Sequence, residues 1–478
     1  MDNLNTFVKN PFQLTIMRSK PMVLYVLILL LFTATAGAQQ KKWTLKECIA
    51  YALEKNISIR QAELDLKLTD VDKKDAFGNF LPNASFSANH SWNIGLIENP
   101  ITRTAEQNTS QFTNGGFSSG VDIYKGLQNQ RTYQRARLAI IAQKFNLTKM
   151  QEDVALNIAN AYLQILFNRE NLKVQNEQLE SDRQQLERSE QLLEGGVIPR
   201  GDLLDIEATV AADRQRIIDA ENQLLLSKLS LAQLLQIEDF KDFDIADENF
   251  EKEDSEVLLQ TPESIYNKAR DEQTVIKVAR ANLEVAMKDV DIAKSAYQPT
   301  LRGFYSLNTA VSYNDNINYV ENEQTGEIIP VVSPPDPIFD QVWDNKGHSF
   351  GLQLTVPIFN GFSVRNSVER ARVGVERSRL ALEQQELDLE RNIYTAYTDA
   401  MGALKAYDAA VAAADAREQS LEYARERYDV GLINVFEFNQ AQTLSVNAQS
   451  DVLRAKYDFI FRVKILEFYF GIPIIEQQ

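Results

Sequence analysis

The sequence predicts a mixed α and β fold, in which four long strands per chain join a barrel shared between chains and long α-helical coiled-coil hairpins continue that barrel as a tunnel. Three observations predict this fold. The chain is internally duplicated, each copy contains two segments that alternate apolar and polar residues, and the longest segments are uninterrupted helical patterns with a seven-residue apolar repeat. Strands and helices therefore alternate twice along one chain.

Two constant separations relate the halves of the chain. From Gly126 to Gly196 the matching residue lies 235 positions downstream, at Gly361 and Gly431. Upstream the separation is 217 positions, so the second half carries about 18 additional residues in between. The matched pairs include Asp72 and Asp289, Pro82 and Pro299, Arg135 and Arg370, Ile158 and Ile393, and Tyr162 and Tyr397. Because loops tolerate insertions between copies, the gap-free segment is predicted to be one continuous element.

Residues 1–38 have the pattern of a secretory signal peptide. Arg18 and Lys20 precede an apolar run from Met22 to Phe32, and Ala36-Gly37-Ala38 provides the small residues of a cleavage site. The run is shorter than the roughly 20 apolar residues of a membrane-spanning helix. If the mature chain crosses a membrane, it therefore does so as strands.

The duplication divides the mature chain into a first repeat, residues 39–258, and a second repeat, residues 259–478. Each opens with helices, since Thr44 and Glu47 form a capping-box pattern and Thr261-Pro262 suits a first helical turn. Strands are expected at about 83–97, 112–125, 299–314 and 347–359, and long helical hairpins at about 127–237 and 362–470.

The predicted strands have one apolar and one polar face. In the first strand the even positions from Ala84 to Leu96 are mainly apolar, and the odd positions are serine, asparagine or glycine. Such strands belong either to a soluble sandwich or to an outer-membrane barrel. Their length favours the barrel, since membrane strands need roughly 9 to 11 residues and ordinary strands average about 5 to 6. About eight strands are the smallest useful barrel, so these four, which are expected to account for the β structure, must close with other chains.

The stretch from Leu127 to Glu194 contains no glycine or proline and would span roughly 100 Å as one helix. Apolar residues recur every seven positions in it and in the helix that returns after Gly195-Gly196, which predicts an antiparallel coiled coil. Polar residues such as Asp182 and Ser189 lie between them, so the pair is either a solvated rod or part of a wall of helices around water. The shared barrel favours the wall, and hence a tube.

Composition argues against several classes of function. A net charge of −17 argues against nucleic acid as a partner. The single cysteine, Cys48, allows no internal disulfide and is expected to be a buried helix residue. His90 and His348 lie in predicted strands without a neighbouring ligand pattern, and the sequence has no phosphate-binding glycine loop or metal-spaced cluster. We therefore expect no catalysis, no cofactor and no metal.

Several segments resemble the TolC family of outer-membrane efflux and secretion channels. Residues 44–56 resemble the opening helix of the family, and Val356-Pro357-Ile358-Phe359-Asn360-Gly361 resembles its strand-to-helix signature, with residues 121–126 as a degenerate partner. Tyr428-Asp429-Val430-Gly431 and residues 437–441 add to the match. The resemblance makes Gly126, Pro357 and Gly361 junction residues and makes Gly196 and Gly431 the turns of the hairpins.

The resemblance implies a homotrimer with a twelve-stranded barrel in outer-membrane lipid and a helical tunnel in the periplasm of a Gram-negative bacterium. It also implies a periplasmic adaptor (a membrane fusion protein) and an inner-membrane pump as partners. The chain would then be the exit duct of a tripartite efflux system, a passive conduit for small molecules. One alternative is the outlet of a type I protein secretion system, and another, of a different class, is a periplasmic coiled-coil scaffold.

Finally, the resemblance assigns residues to a narrowed periplasmic entrance. Positions six and nine after the repeat glycines are Asp202 and Asp205 in the first copy and Glu437 and Gln440 in the second, and Tyr428 precedes Gly431 by three. Three chains would place the carboxylates in a ring that favours cations. The family often has a carboxylate where Gln440 stands, and Ile433 stands where one member has a basic residue of its closing network. Arg200, on the other hairpin, is the candidate substitute for that residue.

Overall fold

The structure is a computed structural model and describes residues 42–98, 104–238, 240, 242–248, 255–323 and 326–472. The predicted signal peptide, residues 1–38, lies outside these described residues. Most of the described chain is α-helical, with one four-stranded sheet and two short two-stranded sheets within those ranges. Among the described helices, none is both long enough and apolar enough to cross a membrane.

The first half contains strand β1 (Lys42–Trp43), helices α1 (Leu45–Lys55) and α2 (Ile57–Gly78), strands β2 (Asn83–Glu98) and β3 (Ala105–Lys125), helices α3 (Gln128–Glu194) and α4 (Arg200–Leu235), and strand β4 (Asp244–Ile245). The predicted capping box is confirmed, since Glu47 N donates to Thr44 Oγ1 (3.2 Å) and Thr44 N donates to Glu47 Oε2 (3.0 Å). Cys48 is buried in α1, as expected.

The second half contains a 3₁₀ turn (Glu256–Leu259), helices α5 (Pro262–Glu272) and α6 (Thr274–Ser295), strands β5 (Thr300–Ser312), β6 (Asn316–Glu321) and β7 (Ile328–Ser333), helix α7 (Ile338–Asp344), strand β8 (Gly347–Thr355), and helices α8 (Ser363–Asp429) and α9 (Val435–Phe470). The extended residue Gln273 separates α5 from α6. Its side-chain Nε2 donates to Phe468 O (2.9 Å), which ties this break to the end of α9.

The four long strands form one antiparallel sheet in the order β2-β3-β5-β8. Asn83 of β2 lies opposite Gly120 of β3, and Thr300 of β5 lies opposite Thr355 of β8. Asn83 and Thr300 are 217 positions apart, and Gly120 and Thr355 are 235 positions apart. These are the two separations found in the sequence. Large apolar side chains on one face of the sheet are exposed: Phe86, Trp92, Ile94, Leu96, Phe350, Leu352 and Leu354.

The expectation that four strands account for the β structure is wrong. β6 and β7 form an additional antiparallel hairpin, and β1 pairs in parallel with β4. The β6–β7 hairpin and α7 lie in the connection between β5 and β8, where the second half has about 18 residues more than the first. Sequence reasoning missed this hairpin because apolar residues occupy consecutive positions around Pro330 (Ile328, Ile329, Val331 and Val332), so the alternation typical of a half-buried strand is absent.

The long helices pair as predicted. α3 and α8 each contain 67 residues, and α4 and α9 each contain 36. α3 packs against α4 and α8 against α9, so each half ends in a long hairpin, while near the sheet α2, α3, α6 and α8 pack side by side in that order. The predicted seven-residue seam is buried at Ile158, Ile165, Leu179, Val210, Ile217 and Leu231.

The largest apolar core lies where α3 passes between α1 and α4. Its fully buried members include Cys48, Ile158, Tyr162, Ile165, Leu231 and Ile245. A smaller cluster far down the first hairpin contains Leu179, Ile206, Val210, Ile217 and also Val435 of α9. The two hairpins meet in this smaller cluster, close to the turns that the resemblance assigns to the entrance, and also in the largest core, which contains Ile460 of α9.

Candidate functional site

The two hairpins turn with the same backbone geometry. Gly196 and Gly431 both have a φ of 73°. Val197 N donates to Leu192 O (2.8 Å), and Leu432 N donates to Arg427 O (2.8 Å), which is the six-residue closure of a Schellman turn. The left-handed conformation favours glycine at both positions. The turns therefore lie at equivalent places in the two halves, at the end of each hairpin farthest from the sheet.

The predicted entrance residues lie in the first two turns of the returning helices. Asp202 is half-buried and Asp205 exposed on α4, and Glu437 and Gln440 are both exposed on α9. Asn434 caps α9, because its Oδ1 accepts a hydrogen bond from Glu437 N (2.9 Å). Within the described part of this single chain, no hydrogen bond or ion pair joins these four side chains to one another. A carboxylate in the first turn of a helix is stabilised by the helix dipole.

Tyr428 lies at the contact between the hairpins. Its half-buried ring stacks on Phe438 with centroids 5.0 Å apart and an interplanar angle of 18°. It also packs against the cluster that contains Val210 of α4 and Val435 of α9. Nearby, Asn439 Nδ2 of α9 donates to Thr209 Oγ1 of α4 (3.2 Å). Tyr428 therefore helps to fix the end of α8 against both returning helices.

An ion pair that sequence reasoning missed also joins the hairpins. Arg188 Nη1 of α3 donates to Asp429 Oδ1 of α8 (2.8 Å), and both side chains are partly exposed. Arg200, the candidate from the sequence, is exposed and has no ion pair within the described residues. The only sequence signal for Arg188 is its position eight residues before Gly196, since the matching residue of the second half is Tyr423.

Above the turns lies a buried polar layer. Asp182 of α3 and Asp213 of α4 are each only 2% exposed. Gln178 Nε2 donates to Asp182 Oδ2 (2.7 Å), and Arg216 Nη1 donates to Asp213 Oδ1 (2.8 Å). Burial, and after it the neighbouring Asp213 carboxyl, raises the pKa of Asp182 to about 7. Sequence reasoning noted Asp182 as a polar break in the seam but did not predict a buried carboxyl pair.

The strand-to-helix junctions also match between the halves. Gly126 and Leu127 have φ values of 58° and 63°, and Gly361 and Phe362 have values of 59° and 64°. A Cβ atom on Gly126 would lie 2.3 Å from Ser295 O, so the first junction has no room for a side chain. A Cβ atom on Gly361 would meet nothing within 4 Å of this chain. Pro357 precedes the second junction, between β8 and α8.

The histidines have local hydrogen-bond partners. His90 Nδ1 lies 2.7 Å from Thr113 Oγ1, and His348 Nδ1 lies 2.9 Å from Tyr305 OH. Among the residues that the structure describes, no group of three or more His, Cys, Asp or Glu side chains could hold a metal ion. The features with functional geometry are therefore the sheet and the ends of the two hairpins.

Comparison with known proteins agrees with this geometry. The family described as outer membrane efflux protein matches residues 48–235 and 265–470. The outer membrane protein TolC of Vibrio cholerae is 23% identical over 317 residues, which are 66% of this chain and 66% of that relative. The solved Campylobacter jejuni CmeC outer membrane channel has a TM-score of 0.73 and 17% identity, over 91% of this chain and 87% of that one.

Two further solved structures are similar. The outer membrane protein VceC of Vibrio cholerae has a TM-score of 0.70 and 16% identity, over 90% of this chain and 97% of that one. The open state of the Neisseria gonorrhoeae MtrE outer membrane channel has a TM-score of 0.66 and 18% identity, over 91% of both chains. These likenesses show that the fold is the one found in these solved channels.

Proposed function

The chain belongs to the outer membrane efflux protein family, and from this premise we propose that it forms the exit duct of a tripartite efflux system. Family membership locates it in the outer membrane of a Gram-negative bacterium, with its helices in the periplasm. In the proposed assembly three copies close a twelve-stranded barrel and continue it as a helical tunnel. Small molecules expelled by an inner-membrane pump pass through a periplasmic adaptor into this tunnel, and the duct itself is passive.

The proposal rests on the unpaired edges and the exposed apolar face of the four-stranded sheet. Its edge strands, β2 and β8, have no strand partner on their outer sides among the described residues. Its apolar face is exposed, with Leu96 at 77% and Phe350 at 80%. Exposed apolar faces of this size mark contact with lipid or another chain, and four strands are too few to close a barrel. A barrel shared between copies in lipid accounts for both features.

The opposite face of the sheet supports a wet interior. On β5, Asn308 lies beside Gly116 and Arg302 lies beside Gly120, where an added Cβ would meet them, and one large apolar residue of this face, Phe304, lies beside Gly351. Ser85 Oγ and Ser118 Oγ lie 2.8 Å apart on the same face. Small and polar residues facing inward, opposite an apolar outer face, are the pattern of membrane barrels.

Internal duplication explains how one chain contributes two similar units of helix and sheet. The equal lengths of the paired helices, the matching junctions and the strand pairings related by 217 and 235 positions all support it. Three copies of a duplicated chain form a ring of six similar units, which accounts for a long tunnel built from few kinds of contact.

In this assembly Asp202, Asp205 and Glu437 would form carboxylate rings at the periplasmic entrance, with Gln440 and Tyr428 beside them. Their positions in the first turns after Gly196 and Gly431 support this assignment. Rings of carboxylates attract cations and repel anions. The similar proteins are channels and not enzymes, which supports a role without catalysis.

Conductance and ion selectivity in planar bilayers test the proposal. Purified wild-type protein is expected to conduct and to prefer cations in a potassium chloride gradient. A variant with Asp202→Asn, Asp205→Asn and Glu437→Gln should still conduct but should lose most of this preference, because the fixed charge of the entrance is removed. The control is Asp219→Asn, Glu221→Gln and Asp451→Asn, which makes the same charge change at exposed positions farther from the turns.

Two results would count against the proposal. A soluble, non-conducting wild-type monomer would reject the channel and favour the coiled-coil scaffold. Equal selectivity changes in the entrance variant and its control would reject the assignment of the entrance residues while leaving the channel intact.

A further inference from the structure

One contact inside the chain joins its two halves near the sheet: α3 of the first half packs against α6 of the second. Arg135 Nε donates to Asp289 Oδ1, and Thr274 Oγ1 donates to Glu152 Oε1 (2.7 Å). The residue numbers rise along one helix as they fall along the other, so the helices run antiparallel. This contact defines the register between the long helix α3 and the shorter helix α6 of the second half.

The equivalent contact cannot form within one chain. Adding 235 to the α3 positions and subtracting 217 from the α6 positions leads to α8 and α2, the two ends of the row of helices. Arg135 and Asp289 correspond to Arg370 and Asp72. Arg370 is exposed and, within the part of the chain that the structure describes, donates a hydrogen bond to Ser367 Oγ of its own helix (2.9 Å), and Asp72 is also exposed. The two equivalent partners are both present, on opposite sides of the molecule.

The same two surfaces carry matching apolar stripes. On α2 the exposed residues Ile57 (52%), Leu64 (59%) and Val71 (44%) recur every seven positions, and on α8 so do Val373 (54%), Leu380 (56%) and Leu387 (55%). The pair Glu152 and Thr274 corresponds to Leu387 and Ile57. Antiparallel alignment from that pair then places Leu64 opposite Leu380 and Val71 opposite Val373, next to Asp72 and Arg370. A seven-residue repeat on both helices is the pattern of a coiled-coil seam.

We propose that α8 of one copy packs against α2 of the next copy in this register, with Ile57 on Leu387, Leu64 on Leu380, Val71 on Val373 and an ion pair between Arg370 and Asp72. The partner surface is thus a second copy of this chain, and the inference rests on the trimer of the proposed function. It goes beyond that function by assigning the residues of the interface between neighbouring copies.

The strand-to-helix junctions independently indicate the same register between neighbouring copies. Gly126 sits against Ser295 O, and Tyr124 OH donates to Gln298 Oε1 (3.1 Å). The equivalents of Tyr124 and Gln298 are Phe359 and Leu81, which are both exposed in the single chain. In the proposed register Phe359 meets Leu81 of the next copy, and Gly361 meets the backbone of that copy at Gly78. This contact would add a steric reason for glycine at 361, where the single chain leaves open space but the φ of 59° already favours glycine.

The sheet also indicates the same register between neighbouring copies. Phe117 of β3 lies opposite Leu307 of β5, and the corresponding residues are Leu352 of β8 and His90 of β2. Pairing β8 with β2 of the next copy in this register keeps the apolar face continuous, because Leu352 and His90 both lie on that face. The helices and the strands therefore predict the same interface between copies.

The contact within the chain and the proposed contact between copies differ in polarity. The contact within the chain is polar at Glu152 and Thr274, whereas the contact between copies is apolar at Leu387 and Ile57. Covalent continuity already holds α3 near α6. Separate copies have to overcome the entropy of association, and burying apolar surface supplies that driving force.

Disulfide cross-linking of the full chain in membranes tests the register. The double variant Leu64→Cys and Leu380→Cys is expected to give covalent trimers on non-reducing gels after mild oxidation. Leu64→Cys with Val373→Cys is the matched control, since the second cysteine is displaced by seven residues, roughly 10 Å along the helix. The native Cys48 is buried and remains in both variants.

Charge reversal tests the ion pair. Arg370→Asp and Asp72→Arg are each expected to lower the fraction of trimer in detergent about three- to tenfold, and the double variant to restore it. Arg372→Asp is the control, because Arg372 contacts Glu369 on its own helix. Restoration by the double variant is a result that a general loss of folding would not give.

The outcomes separate this inference from the proposed function. If wild-type trimers form and conduct, but the control cysteine pair cross-links and the Leu64/Leu380 pair does not, the register is wrong and the channel stands. If the double charge variant fails to recover while the trimer conducts, the ion pair is wrong. A monomeric, non-conducting wild-type protein would overturn both the proposed channel function and the proposed interface between copies.

Discussion

The first hairpin contains two regions with the same seven-residue repeat and different surroundings. Around Tyr162, α3 is enclosed by α1, α4, β4 and Ile460 of α9, and Ile158, Tyr162 and Ile165 are fully buried. Around Asp182, the seam between α3 and α4 is narrow and the remaining neighbour is α9. The first region is braced on several sides, and the second depends on the contact between the two hairpins.

Hydrogen bonding sharpens the contrast. In the upper region Tyr162 OH donates to Ala246 O (3.1 Å), and Arg169 Nη2 donates to Asp244 Oδ1 (2.6 Å) beside the β1–β4 pair. In the lower region several buried side-chain atoms have no hydrogen-bond partner among the described residues: Gln185 Nε2, Ser189 Oγ, Gln442 Oε1 and Ser450 Oγ. An unpaired buried polar group costs about 1–3 kcal/mol. The lower region is therefore the one in which the hairpins separate at least cost.

The largest expected effect is the loss of apolar packing in the upper region. Ile158→Ala should lower the free energy of unfolding by about 2–5 kcal/mol, because the surrounding elements cannot collapse into the cavity. Leu179→Ala, in the lower region, should have a smaller effect, because its seam borders polar groups and can relax. Urea unfolding followed by circular dichroism measures both values, and Val197→Ala in the exposed turn is the control. A larger loss at Leu179 than at Ile158 would contradict the comparison.

A second effect concerns pH and belongs to the lower region alone. The pKa of Asp182 is raised to about 7 by burial, against about 3.9 in an unfolded chain. Between these values the folded state holds a proton that the unfolded state lacks. The stability contributed by neutral Asp182 is therefore fully present below about pH 4 and is lost as the pH rises through 7.

Asp182→Asn tests this dependence, because asparagine resembles the neutral acid at every pH. The variant should lose the decline in stability between about pH 4 and pH 7, and it should exceed the wild type at pH 8 by about 1–3 kcal/mol. Infrared spectra at pH 6 should also lose the C=O stretch of a protonated carboxylic acid. Asp219→Asn, exposed on α4, is the control. An unchanged pH slope in Asp182→Asn would show that another group titrates.

The upper region could be predicted from the sequence better than the lower one. The repeat that contains Ile158, the capping box at Thr44 and the burial of Cys48 are local or periodic signals, and the structure confirms them. The pair formed by Asp182 and Asp213 was not predictable in this way, because facing across an antiparallel hairpin depends on where the turn falls. The β6–β7 hairpin was missed because no matching segment in the first half indicates its pairing.

The smallest expected effect comes from the ion pair that ties the hairpins together. Arg188→Gln should weaken their contact by about 0.2–1 kcal/mol, because both side chains are partly exposed and solvent screens the pair. The measurement is a double-mutant cycle with Asp429→Asn, using the open fraction of single channels at low salt. The two single variants and the double variant should have similar effects, since each removes the same pair. Raising the salt should reduce the difference from the wild type, and Arg183→Gln, exposed on the same helix, should have little effect. Additive effects of Arg188→Gln and Asp429→Asn would mean that the pair does not hold the hairpins, and that the packing of Tyr428 and Val435 does.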